Sequence, residues 1–211
     1  RSIHSTHPPF AYDFYRNVLK KKIAGQDRQL IQRIRHKGLR KTNVIEHTDM
    51  GAGSGDKEYI RTYKRVSRIV KNTAINNKYG EVLYNLVRYY QPQNILEFGT
   101  ATGISTLYLS LPATENSQLI TMEGCSEIAT VARSNFKKAH ISDSIRLLTG
   151  NFASVLPLAM KRMPRIDLAY IDGNHTKEPM LEYFNTLLPR VHNDTIFVFD
   201  DIHWSKEMTD V

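Results

Sequence analysis

A group of small residues flanked by acidic ones forms a constellation able to hold a nucleoside-containing ligand. In Glu97-Phe98-Gly99-Thr100-Ala101-Thr102-Gly103-Ile104-Ser105, glycine stands where a strand-to-helix turn has to be tight. Small residues at 101 and 103 let the backbone approach a ligand closely. The helix that follows would offer unpaired N–H groups to an anionic part of it. Glu123 lies 24 residues beyond Gly99, where an acidic side chain can accept both hydroxyls of a ribose. The spacing G-x-x-x-G, preceded by Glu97, departs from the G-x-G-x-x-G of dinucleotide-binding turns and disfavours a nicotinamide cofactor. Two further polar clusters are Ile171-Asp172-Gly173-Asn174-His175 and Phe199-Asp200-Asp201-Ile202-His203-Trp204. Aspartates at strand ends serve as ligands or cap the next helix, and the residues alone leave both readings open. Cys125, just past Glu123, reads as a wall residue rather than a nucleophile.

These groups need a scaffold that brings them to one edge. Short apolar runs at 94–98, 119–122, 145–148, 167–171 and 195–199 alternate with helical patterns near 103–111, 126–139, 152–161 and 178–191. Continuous apolar strands in β/α repeats imply an α/β fold, a Rossmann-like parallel sheet with helices on both faces. In such sheets a ligand sits beyond the carboxyl ends of the strands, and every cluster above follows a run. The preceding part reads as a helical N-terminal region. Phe10, Phe14, Val18 and Leu19 recur after Pro8-Pro9, and Leu30, Ile31 and Ile34 continue in a second basic segment that fades by Gly38. Ile60, Tyr63, Val66, Ile69 and Val70 predict one more helix, and Val82, Leu83, Leu86, Val87 and Tyr90 another, ended by Pro92. Met50–Gly55 is glycine-dense and reads as a loop; it lacks the lysine and the preceding strand of a phosphate-binding loop. The pattern divides the chain into a helical extension or cap over 1–91 and a core over 92–211.

Residues 94–205 resemble the core of class I S-adenosylmethionine-dependent methyltransferases. The run from Leu96 to Ser105 looks like their O-methyltransferase branch, similar to catechol and caffeoyl-CoA O-methyltransferases. The resemblance implies S-adenosyl-L-methionine as cofactor. Glu97, Gly99, Thr100, Gly103 and Ser105 would surround its methionine part, and Glu123 would hold the ribose. Gly150-Asn151-Phe152 would frame the adenine, although Phe152 reads equally as a core residue. It also implies that Asp172, beside the cofactor, joins Asp200 and Asp201 in binding Mg²⁺, an oxygen-loving cation that would relieve their repulsion. Asp201 stands where that branch usually has Asn. His175 takes the place of the family's lysine base, with Asp172 as its catalytic partner. A neutral imidazole can accept a hydroxyl proton near neutral pH. His203 and Trp204 would shape the acceptor pocket. The family normally continues with further strands, so the resemblance implies more chain beyond Val211.

Charge suggests a second kind of partner. Residues 1–75 hold 17 Lys/Arg against 6 Asp/Glu, whereas 76–211 hold 12 against 15, for a net charge of +8. Such a basic arm fits either the solvated faces of helices or contact with RNA. No run reaches the roughly 18 apolar residues of a membrane span. The polar start lacks a signal-peptide core, and the one cysteine forms no internal disulfide, which makes the cytoplasm the default. The expected activity is methyl transfer to a hydroxyl of a small molecule by an enzyme, possible homodimer included. An RNA methyltransferase and a non-catalytic Rossmann-like binding protein are the alternatives.

Overall fold

A computed structural model of the chain describes residues 9–48, 61–173 and 176–201. Helix α1 (Pro9–Phe14) runs into a π-helical turn at Tyr15–Leu19, and α2 spans Gly25–Leu39. An antiparallel pair follows, β1 (Val44–Thr48) with β2 (Arg61–Arg65). Then come α3 (Val66–Thr73) and α4 (Asn77–Tyr90). Asn76 caps α4 by accepting the Lys78 N–H, and a left-handed Gln91 ends it one residue ahead of Pro92.

The β1–β2 hairpin corrects the helix expected to include Tyr63. That residue lies in β2 and is largely exposed, and the helix begins only at Val66. Physically, Arg61-Thr62-Tyr63-Lys64-Arg65 alternates exposed and half-buried side chains, which is a strand's period of two. Ile60 and the Met50–Gly55 loop lie outside the described residues.

From Asn94 the β/α alternation is realised. The strands are β3 (Asn94–Phe98), β4 (Gln118–Glu123), β5 (Ile145–Thr149), β6 (Leu168–Ile171) and β7 (Ile196–Phe199). Between them run α5 (Ile104–Ser110), α6 (Ser126–Ala139), α7 (Phe152–Arg162) and α8 (Lys177–Leu187). All pairings are parallel, in the order β5-β4-β3-β6-β7. The chain therefore winds outward from β3 to β5 and then crosses to the other side of β3. The reversal opens a crevice at the carboxyl ends of β3 and β6.

Alternate strand residues enter two separate cores. Leu96, Phe98, Ile120, Met122, Ala169 and Ile171 pack on α7 and α8, while Ile95, Leu119, Leu168 and Tyr170 face α4, α5 and α6. Val18, Ile23, Ile31 and Ile34 belong to that second cluster, so the N-terminal helices are one of its walls. Where α2 meets α6, Lys37 and Lys41 come into the field of Lys138. Loss of hydration and then these two like charges push the Lys138 ammonium below its ordinary value. No described helix is long and apolar enough to cross a membrane.

The N-terminal segment is tied down by a buried amide. Asn85 Nδ2 donates to the carbonyls of Val18 (2.9 Å) and Lys21 (2.6 Å), neither of which lies in an α-helix. Asn85→Ala leaves both carbonyls without this donor, and the expected loss of stability is about 1–3 kcal/mol. Urea unfolding followed by circular dichroism measures it, and an unchanged midpoint would show that the tie is energetically idle.

Candidate functional site

The crevice is built around a buried carboxylate. Glu97 sits on the central strand with no exposed surface, in register with Thr121 on one side and Tyr170 on the other. Thr106 Oγ1 (2.6 Å) and Thr121 Oγ1 (2.7 Å) both donate to Glu97 Oε2. Because the Thr121 proton is committed to Glu97, Thr100 is the donor in the 2.6 Å contact between the two threonine hydroxyls. Burial raises the Glu97 pKa, and the hydroxyls of Ser105, Thr106 and Thr121 pull it back. Glu97 Oε1 is buried without a hydrogen bond of normal geometry, an acceptor that is costly to leave unmet.

The turn after β3 admits only a small residue at its tightest point. Gly99 has φ +88°, and a methyl group there would collide with the carbonyl oxygen of Asp172 on the neighbouring strand. Gly103 caps α5 at φ +83°, where a Cβ would stand 2.5 Å from the Phe136 ring. Ala101, also at positive φ, is held by its N–H donating 2.8 Å to Glu123 Oε2. Glu123 Oε1 accepts the Cys125 N–H at 2.9 Å, so this carboxylate joins the turns that follow β3 and β4. Burial raises its pKa, against the pull of those backbone donors.

Gly150, Asn151 and Phe152 follow β5 at the same edge. Asn151 caps α7 by accepting the Ala153 N–H. Phe152, half-buried, packs edge-on against Phe98 and Tyr183, and its ring fills the space a Cβ on Gly173 would take. On the other side of β3, the ladder continues past β6 and β7: the Asp172 N–H donates to Phe98 O and the Asp200 N–H to Ile171 O. The Tyr170 hydroxyl lies 2.6 Å from Asp200 Oδ2 and 3.1 Å from Asp172 Oδ2. Burial, then the Asp200 charge, lift Asp172 to about 7, with Glu97 and Asp201 adding to the lift and the Tyr170 bond opposing it. Burial, then the Asp172 and Asp200 carboxylates, push the Tyr170 phenol far above its ordinary range.

Every described candidate thus lies at one edge of the sheet. Asp172 and Asp200 meet, whereas Asp201 is exposed at φ +52° and its N–H bonds Asp200 Oδ1. Among the described residues no three His, Cys, Asp or Glu side chains gather as a metal ion requires. His175, His203 and Trp204 lie outside the described residues. Thr106, Thr121 and Tyr170 carry no motif, but a sequence signal exists. Thr121 and Tyr170 stand two residues before Glu123 and Asp172, polar positions inside apolar strands, on the face those acids share.

Fold and site together define a Rossmann-like α/β protein whose polar strand ends gather at the topological switch point. The methyltransferase domain family model matches residues 96–202, just over half of the chain, and the chain belongs to that family. A catechol O-methyltransferase from Niastella koreensis is 31% identical over 130 residues, covering 61% of this chain and 58% of the relative. One from Mycobacterium tuberculosis is 28% identical over 129 residues, covering 61% and 57%. The chain thus spans a little over half the length of these curated relatives. The O-methyltransferase of Bacillus cereus, solved in complex with SAH, superposes with a TM-score of 0.59 at 21% identity, over 91% of this chain and 73% of that one. TomG from Streptomyces achromogenes, solved with SAM, gives 0.60 at 20% identity, over 92% and 73%. These likenesses show the shared fold.

The raised Asp172 pKa makes stability pH-dependent in a defined direction. Below the ordinary value of 3.8 the acid is neutral in both folded and unfolded chains. Between there and about 7 the unfolded chain ionises first, so stability drains as pH rises through this window. Asp172→Asn cannot ionise. In metal-free buffer its stability relative to wild type is expected to rise by at least about 1 kcal/mol from about pH 5 to about pH 8. Thermal melts across that range measure the difference, and a flat difference contradicts the raised pKa.

Proposed function

We propose that this chain binds S-adenosylmethionine in the crevice between β3 and β6 and transfers its methyl group to a hydroxyl of a small molecule. The observation that carries this reading is Glu97, whose buried Oε1 is left for a cationic or hydrogen-bond-donating ligand group beside a glycine turn. The ammonium of the cofactor's methionine part would meet that need, and the names of the relatives supply the reaction class. When bound, the cofactor supplies a methyl group on a sulfonium centre.

The chain's own residues bind and orient. Gly99 and Gly103 keep side chains out of the turn, Thr100 and Ser105 line it, and the second lone pairs of Glu123 would accept the ribose hydroxyls. Gly150, Asn151 and Phe152 would border the adenine. The acceptor hydroxyl has to lose a proton, and Asp172, held near 7, has a pKa suited to receiving it. His175, three positions on, is the other candidate base. Methyl transfer is an in-line displacement, so fixing donor and acceptor in reach supplies much of the acceleration. The described residues do not assemble a three-ligand cation site.

Calorimetric titration with S-adenosylhomocysteine tests the reading. The wild type is expected to bind in the micromolar range, and Glu123→Ala at least about tenfold more weakly, with folding checked by circular dichroism. A radiolabelled methyl donor offered with a panel of phenols and other alcohols then finds the acceptor class. A folded wild type that takes up no S-adenosylhomocysteine sinks the proposal.

A further inference from the structure

Between Asp172 and Asp200 stands a group that neither cofactor binding nor methyl transfer calls for. Tyr170 is 1% exposed, sits beside Glu97 in register and pairs with Val198 on the other side. Its ring belongs to the apolar cluster beneath the sheet, so the hydroxyl is delivered to the strand ends from below. That hydroxyl has one proton and two carboxylate neighbours. The shorter contact, 2.6 Å to Asp200 Oδ2, is the donated bond, and Asp172 Oδ2 closes on the same oxygen at 3.1 Å. Asp200 Oδ1 is also engaged, by the Asp201 N–H at 3.0 Å.

Two strand-end carboxylates repel unless something positive or proton-donating stands between them. A divalent cation does this with six or more oxygen ligands. Here a donor from the protein is already in place, and the described residues gather no third acidic, histidine or cysteine side chain around the pair. We propose that the Tyr170 hydroxyl takes the place of a divalent cation between Asp172 and Asp200, so that this floor of the crevice is assembled without metal. Tyr170 is then a positioning residue: it holds the carboxylates and touches neither cofactor nor acceptor. This deepens the methyltransferase reading and rests on it.

Three titrations separate the two. S-adenosylhomocysteine is titrated into EDTA-treated wild type with and without Mg²⁺, and Mn²⁺ is titrated into wild type and Tyr170→Phe, followed by electron paramagnetic resonance. Wild type is expected to bind S-adenosylhomocysteine with the same affinity, within about twofold, in both buffers, and to show no saturable Mn²⁺ uptake below about 1 mM. Tyr170→Phe removes the proton donor and leaves the repulsion. It is expected to gain Mn²⁺ affinity by at least about tenfold, with a melting temperature that rises on adding Mg²⁺. A residue of merely structural importance would lower the melting temperature without creating metal affinity. Stoichiometric micromolar Mn²⁺ binding by wild type overturns the proposal, as does a Tyr170→Phe variant with unchanged Mn²⁺ behaviour. If that variant does not fold, the wild-type Mn²⁺ titration decides alone. Absence of S-adenosylhomocysteine binding in either buffer would instead strike the methyltransferase reading.

Discussion

A carboxylate in the middle of a parallel sheet, shut away from solvent, sets the terms for everything near it. Glu97 has no exposed surface, and such a group survives only if its oxygens find donors. Thr121 supplies one from the adjacent strand and Thr106 another from the first turn of α5. These bonds fix the register of β3 against β4 and the height at which α5 begins. The intervening turn has few residues to work with, and its positive-φ positions at 99, 101 and 103 follow from that shortage. The crevice is what remains between a helix drawn in toward Glu97 and a β6 end pressed against Gly99.

The same logic extends outward from the centre. Glu123 grips the Ala101 and Cys125 N–H groups, so the turn beyond β4 cannot move independently of the turn beyond β3. Hydrogen bonds from Asp172 and Asp200 carry the ladder past the strands on the other side. The site is therefore a set of strand termini locked to one another through the sheet, the kind of rigid support that precise positioning needs.

Much of this architecture was legible in the residues because parallel strands buried on both faces leave continuous apolar runs. Asn94–Phe98 and Leu168–Ile171 were readable for that reason, as were Gly99, Glu123, Asp172 and Asp200 as the residues that follow such runs. The hairpin was not. Tyr63 stands three residues before Val66, and an exposed aromatic at helical spacing imitates a helix face until its partner strand is known. Tyr170 was missed for a related reason. Within an apolar strand a tyrosine counts as core, and only the pairing that sets Glu97 beside it shows where its hydroxyl ends. Asp201 stands at the matching position with a left-handed backbone, and local conformation of that kind leaves no trace in spacing.

The meeting of α2 and α6 has its own consequence. Lys37 near the end of α2, Lys41 just beyond that helix and Lys138 in the last turn of α6 bring three like charges to one corner of the fold. Like charges held in this way oppose folding at low ionic strength, and dissolved ions screen them over roughly 10 Å. At this corner screening by salt relieves repulsion, the reverse of its effect on a surface ion pair such as Arg165 with Asp167. One domain thus carries two groupings of charge that answer ionic strength with opposite sign.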